Sequence, residues 1–436
     1  MNNLAEIFLW NTKIGTLNLR DDLPYAFFEY DKAFIEGVHG TDIQLSPLRM
    51  PISDRLYSFP NLADAFHGVP GMIADSLPDK FGNAIINQWL ASQGKTEADF
   101  NVIDRLCYTG SRGMGALEYR PALALDAKAS DKVNVSEMVK FASDVLNKRK
   151  SVDIDMSSAT YSQLLKLGTS AGGARAKAVI AWNEEKNEVK SGQINPEKGF
   201  DYWLMKFDGV SKNGDHDLED EPEYTLIEYA YYLMALEAGI NMNECRIFKE
   251  ENHNHFMTKR FDRVDGSKVH MQTLAALAHI DYNTPRLCSY ELAASYMKQI
   301  GLGANEIEQF FRRMVFNVLA VNRDDHVKNV SFLMDKDGTW SLSPAYDVTF
   351  SYNPTNKWLS KHQMLINNKS ELIELTDLLQ VASTIGISKP RAKNIIADVR
   401  AAVSHWSSIA GDVGIRENTI ELIRKTITVS SLSVFV

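Results

Sequence analysis

From residue 307 the chain reads IEQFFRRMVFNVLAVNRDDHVKNVSFLMDKDGTWSLSPAYDV, and few architectures can accommodate that run. Ile307, Phe310, Phe311, Met314, Val315, Val318 and Leu319 recur at helical spacing, so 307–320 is expected to be a helix with one buried face. Its C-terminal end delivers NRDDHVKN, residues 322–329, which sets two carboxylates, an imidazole, an ammonium and two amides in one loop. A buried helix ending in such a loop holds polar side chains at the edge of a cleft. Apolar alternation on both sides of DKDG predicts a hairpin turning near 337 and 338, so the strand leaving Asn329 returns opposite roughly residue 346. Asp347 stands one residue beyond, and Asn329 and Asp347 should meet at one site.

The spacing inside the loop has a chemical reading. Asn329 follows Asp324 by five positions, the interval of the protein-kinase loop H-R-D-x-x-x-x-N, with Asn322 where that loop begins with His. A carboxylate there accepts the proton of an attacking hydroxyl, and a neutral amide oxygen a short loop away holds a magnesium ion. Asp324 is therefore the candidate base, and Asn329 and Asp347 the candidate metal ligands. Phosphoryl transfer also needs positive charge and backbone donors on the triphosphate. Lys206, in the strand-like YWLMKF, offers the first. The glycines of GTSAGGARAKA, Gly172 and Gly173 among them, let backbone amides approach anionic oxygens, and Lys177 closes that segment.

The rest of the chain has the length and order to frame such a site. At 436 residues it exceeds one ordinary core. Its start reads as two short strands around Asn11 and Thr12. A helix over 79–92 carries Phe81, Ile85, Ile86 and Leu90 on one face, and a helix over 133–148 has Ser136 as its cap. A further helix is expected over 161–167, then a strand over 178–182 with a return strand, the Lys206 strand, and a helix ending at Gly239. Beyond that the pattern turns helical, over 289–300, 307–320, 370–384, 389–406 and 417–425. The expected fold class is α+β: a mixed α/β N-terminal half, 1–262, and a mostly helical C-terminal half, 263–436, joined near Asp262.

Charge and cysteine content narrow the function. Lys and Arg number 47 against 56 Asp and Glu, a net −9, which argues against a surface-wide nucleic-acid field. NKRK, ending at Lys150, and SKPRAK, ending at Lys393, are local basic patches that read as solvated turns. Cys107, Cys245 and Cys288 form no CxxC pair, so neither a disulfide framework nor a zinc ribbon is expected, and a reducing cytoplasm fits best. No uncharged run of about 18 residues occurs, so no signal peptide or membrane span is expected.

These segments together resemble the HipA family of kinase toxins from bacterial two-gene toxin-antitoxin modules. FHGVPGMIADSLPDKFGN and GMGALEY are similar to its N-terminal segments, SAGGARAKA to its phosphate loop, KRFDR to its hinge, and NRDDHVKN with SPAYDV to its catalytic core. The resemblance covers almost the whole chain. It implies a kinase-like two-lobe fold, with an N-terminal subdomain at about 1–125 and a nucleotide lobe at about 150–262, and it implies ATP and Mg2+ as cofactors. Asp324 would be the base, Asn329 and Asp347 the Mg2+ ligands, and Lys206 a phosphate contact. His326 and Tyr346 would border the nucleotide, and Phe261 would pack near the adenine. Ser170 falls at the autophosphorylated serine, with Thr169 as the neighbouring alternative. Implied partners are a HipB-like helix-turn-helix antitoxin, operator DNA through the antitoxin complex, and a protein substrate such as an aminoacyl-tRNA synthetase.

Departures from the family pattern stand at Lys259, commonly Glu, at QTL from Gln272, commonly QED, and at Ile227 and Glu228, often Asn-Glu. Glu228 reads as a plain exposed helix carboxylate in preference to a partner for Lys206. Three rivals remain open: a metal phosphohydrolase using Asp324, Asp325 and His326, a small-molecule phosphotransferase, and a scaffold that holds an antitoxin. NHNH, residues 252–255, reads as a surface turn.

Overall fold

The computed structural model describes residues 1–39, 41–122, 134–146, 175–192, 198–210, 223–250 and 252–435. The helix expected over 161–167, the NKRK patch and the glycine-loop residues Thr169, Ser170, Gly172 and Gly173 lie outside the described residues.

The chain opens on a hairpin of β1 (Leu4–Leu9) and β2 (Thr12–Leu19) in which Leu9 faces Thr12. The turn is therefore Trp10 and Asn11, one residue earlier than expected. Both have positive φ, 48° and 67°, the two-residue turn whose twist matches that of paired strands. Ala5, Ile7 and Leu9 alternate into the core. With β3 (Ala26–Tyr30), β4 (Tyr57–Ser58) and β5 (Leu117–Arg120) these strands form an antiparallel sheet of order β4-β3-β2-β1-β5. Helices α1 (Lys32–Val38), α2 (Gly71–Ala74), α3 (Lys80–Ser92) and α4 (Val102–Thr109) accompany it.

Helix α3 starts where Asp79 Oδ1 accepts the Gly82 amide at 2.6 Å, a side-chain cap, and it buries Phe81, Ile85, Ile86 and Leu90 as expected. Phe81 and Ile85 pack with Met138 of α5 (Val135–Leu146) and with Ala178 and Met205 of a second sheet. Asn134, not Ser136, caps α5. The Asn134 Oδ1 accepts the Glu137 amide at 3.2 Å, which leaves Ser136 inside the first turn.

The second sheet runs β7 (Glu188–Ser191), β6 (Lys177–Asn183), β8 (Asp201–Lys206), β10 (His253–Lys259), β9 (Cys245–Glu250). Every residue of β6 is buried, so both faces of the sheet are covered there. Helix α6 (Tyr224–Glu237) packs on β9 and β10 through Tyr232 against Cys245 and Phe256. The NHNH segment is not a surface turn. Its histidines belong to β10, and His255 is fully buried with Nδ1 accepting the Asp208 amide at 2.9 Å. Burial pushes that imidazole down to about 4, so it is neutral near pH 7.

Beyond the short ribbon of β11 (Arg263–Val264) and β12 (Ser267–Lys268), a small sheet of β13 (His270–Thr273), β14 (Ser331–Met334) and β15 (Trp340–Leu342) sits among helices. These are α7 (Leu274–Ala278), α8 (Tyr290–Gln299), α9 (Ala304–Leu319), α10 (Leu375–Ile385), α11 (Lys389–Ser404), α12 (Trp406–Val413) and α13 (Glu417–Phe435). The helix expected from 370 begins at Leu375, the one expected over 389–406 breaks at His405 into α11 and α12, and the last extends to Phe435. No helix among the described residues is long and apolar enough to cross a membrane.

Two distant stretches of the chain are stitched together at Asp262, which has no exposed surface. It accepts Arg260 Nε and Nη2 at 2.8 and 2.6 Å, Arg263 Nη1 at 2.9 Å and the Gly115 amide at 2.7 Å. Arg263 in turn donates to the carbonyls of Gly115 and Gly113 at 2.9 and 3.0 Å. The KRFDR segment is thus bound to the GMGALEY segment that leads into β5.

Candidate active site

Helix α9 buries the apolar face expected of it and ends at Leu319. Val321 then takes φ 57°, a conformation a β-branched residue adopts only when its surroundings impose it. Reciprocal bonds impose it here: the Arg323 amide donates to the Ser351 carbonyl at 3.0 Å and the Ser351 amide to the Val321 carbonyl at 3.1 Å. The loop separates the two adjacent carboxylates. Asp325 is buried and accepts the Tyr290 hydroxyl at 2.8 Å and the Gln363 amide at 2.7 Å, with His362 Nδ1 at 3.0 Å. Asp324 keeps 44% of its side chain exposed and faces His326 Nε2 at 3.8 Å. One carboxylate anchors the loop, and its neighbour is partly exposed on the wall of the cleft.

The hairpin forms in the expected register, with Phe332 opposite Leu342 and the Ser343 amide on the Ser331 carbonyl at 2.9 Å. Asp335 Oδ1 holds the turn by accepting the amides of Asp337 and Thr339, each at 2.9 Å. One cleft is consequently lined by Asp324, His326, Asn329, Tyr346 and Asp347. Asn329 Nδ2 donates to the Asp324 carbonyl at 2.9 Å. Asp347 has φ 52°, strain of the kind that accumulates at functional sites.

Lys206 reaches this cleft from the second sheet. Its Nζ lies 2.5 Å from Glu228 Oε1 and 2.5 Å from Asp347 Oδ1. Glu228 is therefore not an exposed carboxylate: its side chain is 2% exposed on α6, and the buried lysine is its partner. Burial opposes the charge of Asp347, yet the ammonium groups of Lys206 and Lys177 outweigh it and hold the carboxyl well below the usual range. Burial likewise pushes the Lys177 ammonium down. Lys177 lies directly across from Lys206 in the paired strands β6 and β8.

Phe261 and Tyr346 pack against one another with their rings tilted by 39°, centroids 5.7 Å apart. The Tyr346 hydroxyl donates to the Lys328 carbonyl at 2.6 Å. Two of the departures have structural duties. Lys259 pairs with Asp201 at 2.7 Å, and Thr273 caps α7 while bonding Asp75 through its amide and hydroxyl at 2.7 and 2.9 Å. Lys328, the ammonium of the NRDDHVKN loop, has its Nζ 4.5 Å from the centroid of the Tyr282 ring. Sequence reasoning missed the nearness of Asp79 to Lys177: burial pushes the Asp79 carboxyl up to about 7 against the opposing charge of that lysine. Asp79 belongs to a distant stretch of chain, so no local pattern could have linked it to Lys177.

The donor set suits a hard divalent cation. One carboxylate and one amide oxygen leave most positions to phosphate and water, as magnesium prefers. Asp347 Oδ1 is committed to Lys206, and Oδ2 meets no donor among the described residues. Asp347 and Asn329 would hold the ion.

Residues 169–406 match the HipA-like C-terminal domain and residues 5–120 the HipA N-terminal domain. A putative kinase of Haemophilus influenzae is 29% identical over 161 residues, 32% of this chain and 46% of that protein. The putative kinase Y4dM of Sinorhizobium fredii is 33% identical over 92 residues, 21% of this chain and 22% of that protein. The chain thus spans less than half the length of these relatives. A chain of the Shewanella oneidensis complex of HipA, HipB and operator DNA superposes with TM-score 0.67 at 14% identity, covering 98% of this chain and 96% of that one. At that identity the likeness speaks for the fold, which is the two-lobe, kinase-like α+β arrangement expected. With domains of that family matched at both ends of the chain, the protein belongs to the HipA family.

Proposed function

We propose that this chain is an ATP- and Mg2+-dependent serine/threonine protein kinase and the toxin of a toxin-antitoxin module. The observation that carries the reading is the convergence of Lys206, Glu228, Asp347, Asn329 and Asp324 on one cleft from separate parts of the chain. Residues 1–262 would supply the N-terminal subdomain and nucleotide lobe, and 263–436 the catalytic lobe. In this reading Lys206, held by Glu228, and Lys177 offset the charge of the triphosphate. Mg2+, when bound by Asn329 and Asp347, neutralises phosphate oxygens. His326 and Tyr346 border the nucleotide, and Phe261 lies on the adenine side. Asp324 takes the proton of a serine or threonine hydroxyl as its oxygen bonds to the γ-phosphorus. The bond to the β–γ bridging oxygen breaks, and ADP leaves with that electron pair.

The same chemistry extends to Ser170, or Thr169 beside it, in the glycine loop. A phosphate there adds about −1.5 to −2 charges, and like-charge repulsion would drive the loop from the triphosphate site and silence the enzyme. The likeness to a HipA–HipB–operator complex supports a HipB-like antitoxin as partner, with DNA engaged through it. A protein substrate such as an aminoacyl-tRNA synthetase, growth arrest and a cytoplasmic location complete the proposal. Incubating the purified chain with Mg2+ and ATP, then measuring ADP and mapping phosphosites on the chain, tests it. The reading requires ADP release, phosphate on Ser170 or Thr169, and loss of both in Asp324→Asn. A chain that consumes no ATP, or an Asp324→Asn chain as active as the wild type, refutes it.

A further inference from the structure

Arg313 has no part in the chemistry above, yet it lines the same cleft as Asp324 and Asp347. It projects from α9, is 8% exposed, and no ion pair to a carboxylate is found for it among the described residues. Its Nη2 donates to the Ser343 carbonyl at 2.5 Å, while its buried Nε has no acceptor. Keeping an unpaired guanidinium out of water is unfavourable, and an apolar side chain of similar size would fill the space without that penalty. The position therefore calls for an explanation beyond packing.

Ser343 begins the segment that ends at Asp347. Besides the Ser343 amide on the Ser331 carbonyl, the Tyr346 hydroxyl against Ser331 Oγ and the Lys206 ammonium on Asp347, that segment is held by the Ser343 carbonyl on Arg313, the Ala345 amide on the Asn241 carbonyl at 2.8 Å, and the Tyr346 hydroxyl on the Lys328 carbonyl at 2.6 Å. The Asp347 backbone is held at φ 52°, which an L-residue keeps only while its surroundings enforce it. Arg313 is the member of this set that stands on α9, the helix that delivers Asp324. We infer that Arg313 is a positioning residue, a strut that ties the Asp347 segment to α9 and so fixes the metal-binding carboxylate relative to the base.

The inference rests on the phosphoryl-transfer reading and is tested by binding. Nucleotide dissociation constants are measured by calorimetry with Mg2+·ATP and with ATP in EDTA, for wild type, Arg313→Met and Arg313→Lys. Groups that orient metal ligands are typically worth about 10- to 100-fold in metal affinity or activity. Arg313→Met should weaken Mg2+·ATP binding by that factor and leave metal-free binding unchanged, with Arg313→Lys recovering part of the loss. Equal weakening in both conditions, or no weakening in a folded Arg313→Met protein, overturns the assignment. If Arg313→Met does not fold, Arg313→Lys decides by the same comparison: a selective loss with Mg2+ supports the strut, and an unchanged or uniform effect removes it. A wild type indifferent to Mg2+ overturns the phosphoryl-transfer reading and the strut with it, an outcome distinct from a responsive wild type with an indifferent variant.

Discussion

Replacing Asp262 by Asn keeps the shape of the side chain and removes its charge, which makes it a direct test of how the Arg260–Arg263 stretch is held to Gly115. The carboxylate accepts three guanidinium bonds and one amide bond with no exposed surface. Each charge-assisted bond contributes about 1.5–3 kcal/mol net, and burying three ions offsets much of that sum. What remains is the cost of leaving Arg260 and Arg263 without their counter-ion, and breaking a buried pair from one side costs about 3–5 kcal/mol. Against a total stability of about 5–15 kcal/mol, that is a large share. A chain of this length seldom unfolds in one step, so the fraction surviving a brief thermolysin pulse is followed against urea. Burial opposes the charge of Asp262, but Arg260 and Arg263 outweigh it and hold the carboxyl well below its usual range. A depressed folded pKa gives stability that is present above the unfolded value, about 4, and lost as pH falls below it. The wild type should therefore lose stability on the acid side more steeply than Asp262→Asn. A variant within about 0.5 kcal/mol of wild type, the margin an ordinary surface substitution would give, refutes the argument.

Three further outcomes follow from the geometry. Asp347→Asn should weaken Mg2+·ATP binding far more than metal-free ATP binding, measured by calorimetry, and equal effects would make Asp347 a structural residue. Asp325→Ala strands the Tyr290 hydroxyl and the Gln363 amide, at about 1–3 kcal/mol for each buried group left unpaired. Its melting temperature should fall while the folded fraction keeps part of its turnover, and an undiminished melting temperature would contradict the anchoring role. Gly71→Ala would place a Cβ 2.2 Å from the Ala276 carbonyl oxygen, a backbone clash expected to cost about 1–3 kcal/mol. Limited proteolysis should then cut near α2 sooner than in wild type.

The parts of this site that could be read from the sequence are those set by short-range pattern. The α9 stripe and the DKDG turn fix where Asn329 and Asp347 go, because helix period and hairpin register act over a few residues. Glu228 could not be read that way. Helix α6 is apolar almost all round, with Ile227, Tyr231 and Met234 buried alike, so its pattern does not say which face a carboxylate takes. His253 and His255 alternate with asparagines, a polar signature that resembles a turn until Asp208 supplies the buried partner. The break between α11 and α12 is equally quiet, since SHWSSIAG carries neither proline nor a charged stop. The Asp262 cluster joins groups 147 positions apart, and only the folded chain brings them together.

The central claim is that the cleft transfers a γ-phosphoryl group to protein hydroxyls, and phosphosite mapping tests it most directly. A bacterial lysate is incubated with Mg2+, γ-18O-labelled ATP and either the purified wild type or Asp324→Asn, and labelled residues are identified by mass spectrometry. The account predicts labelled serine or threonine with the wild type and a loss of about 100- to 10,000-fold without the base. ATP turnover with no labelled protein, or equal labelling by Asp324→Asn, would contradict it.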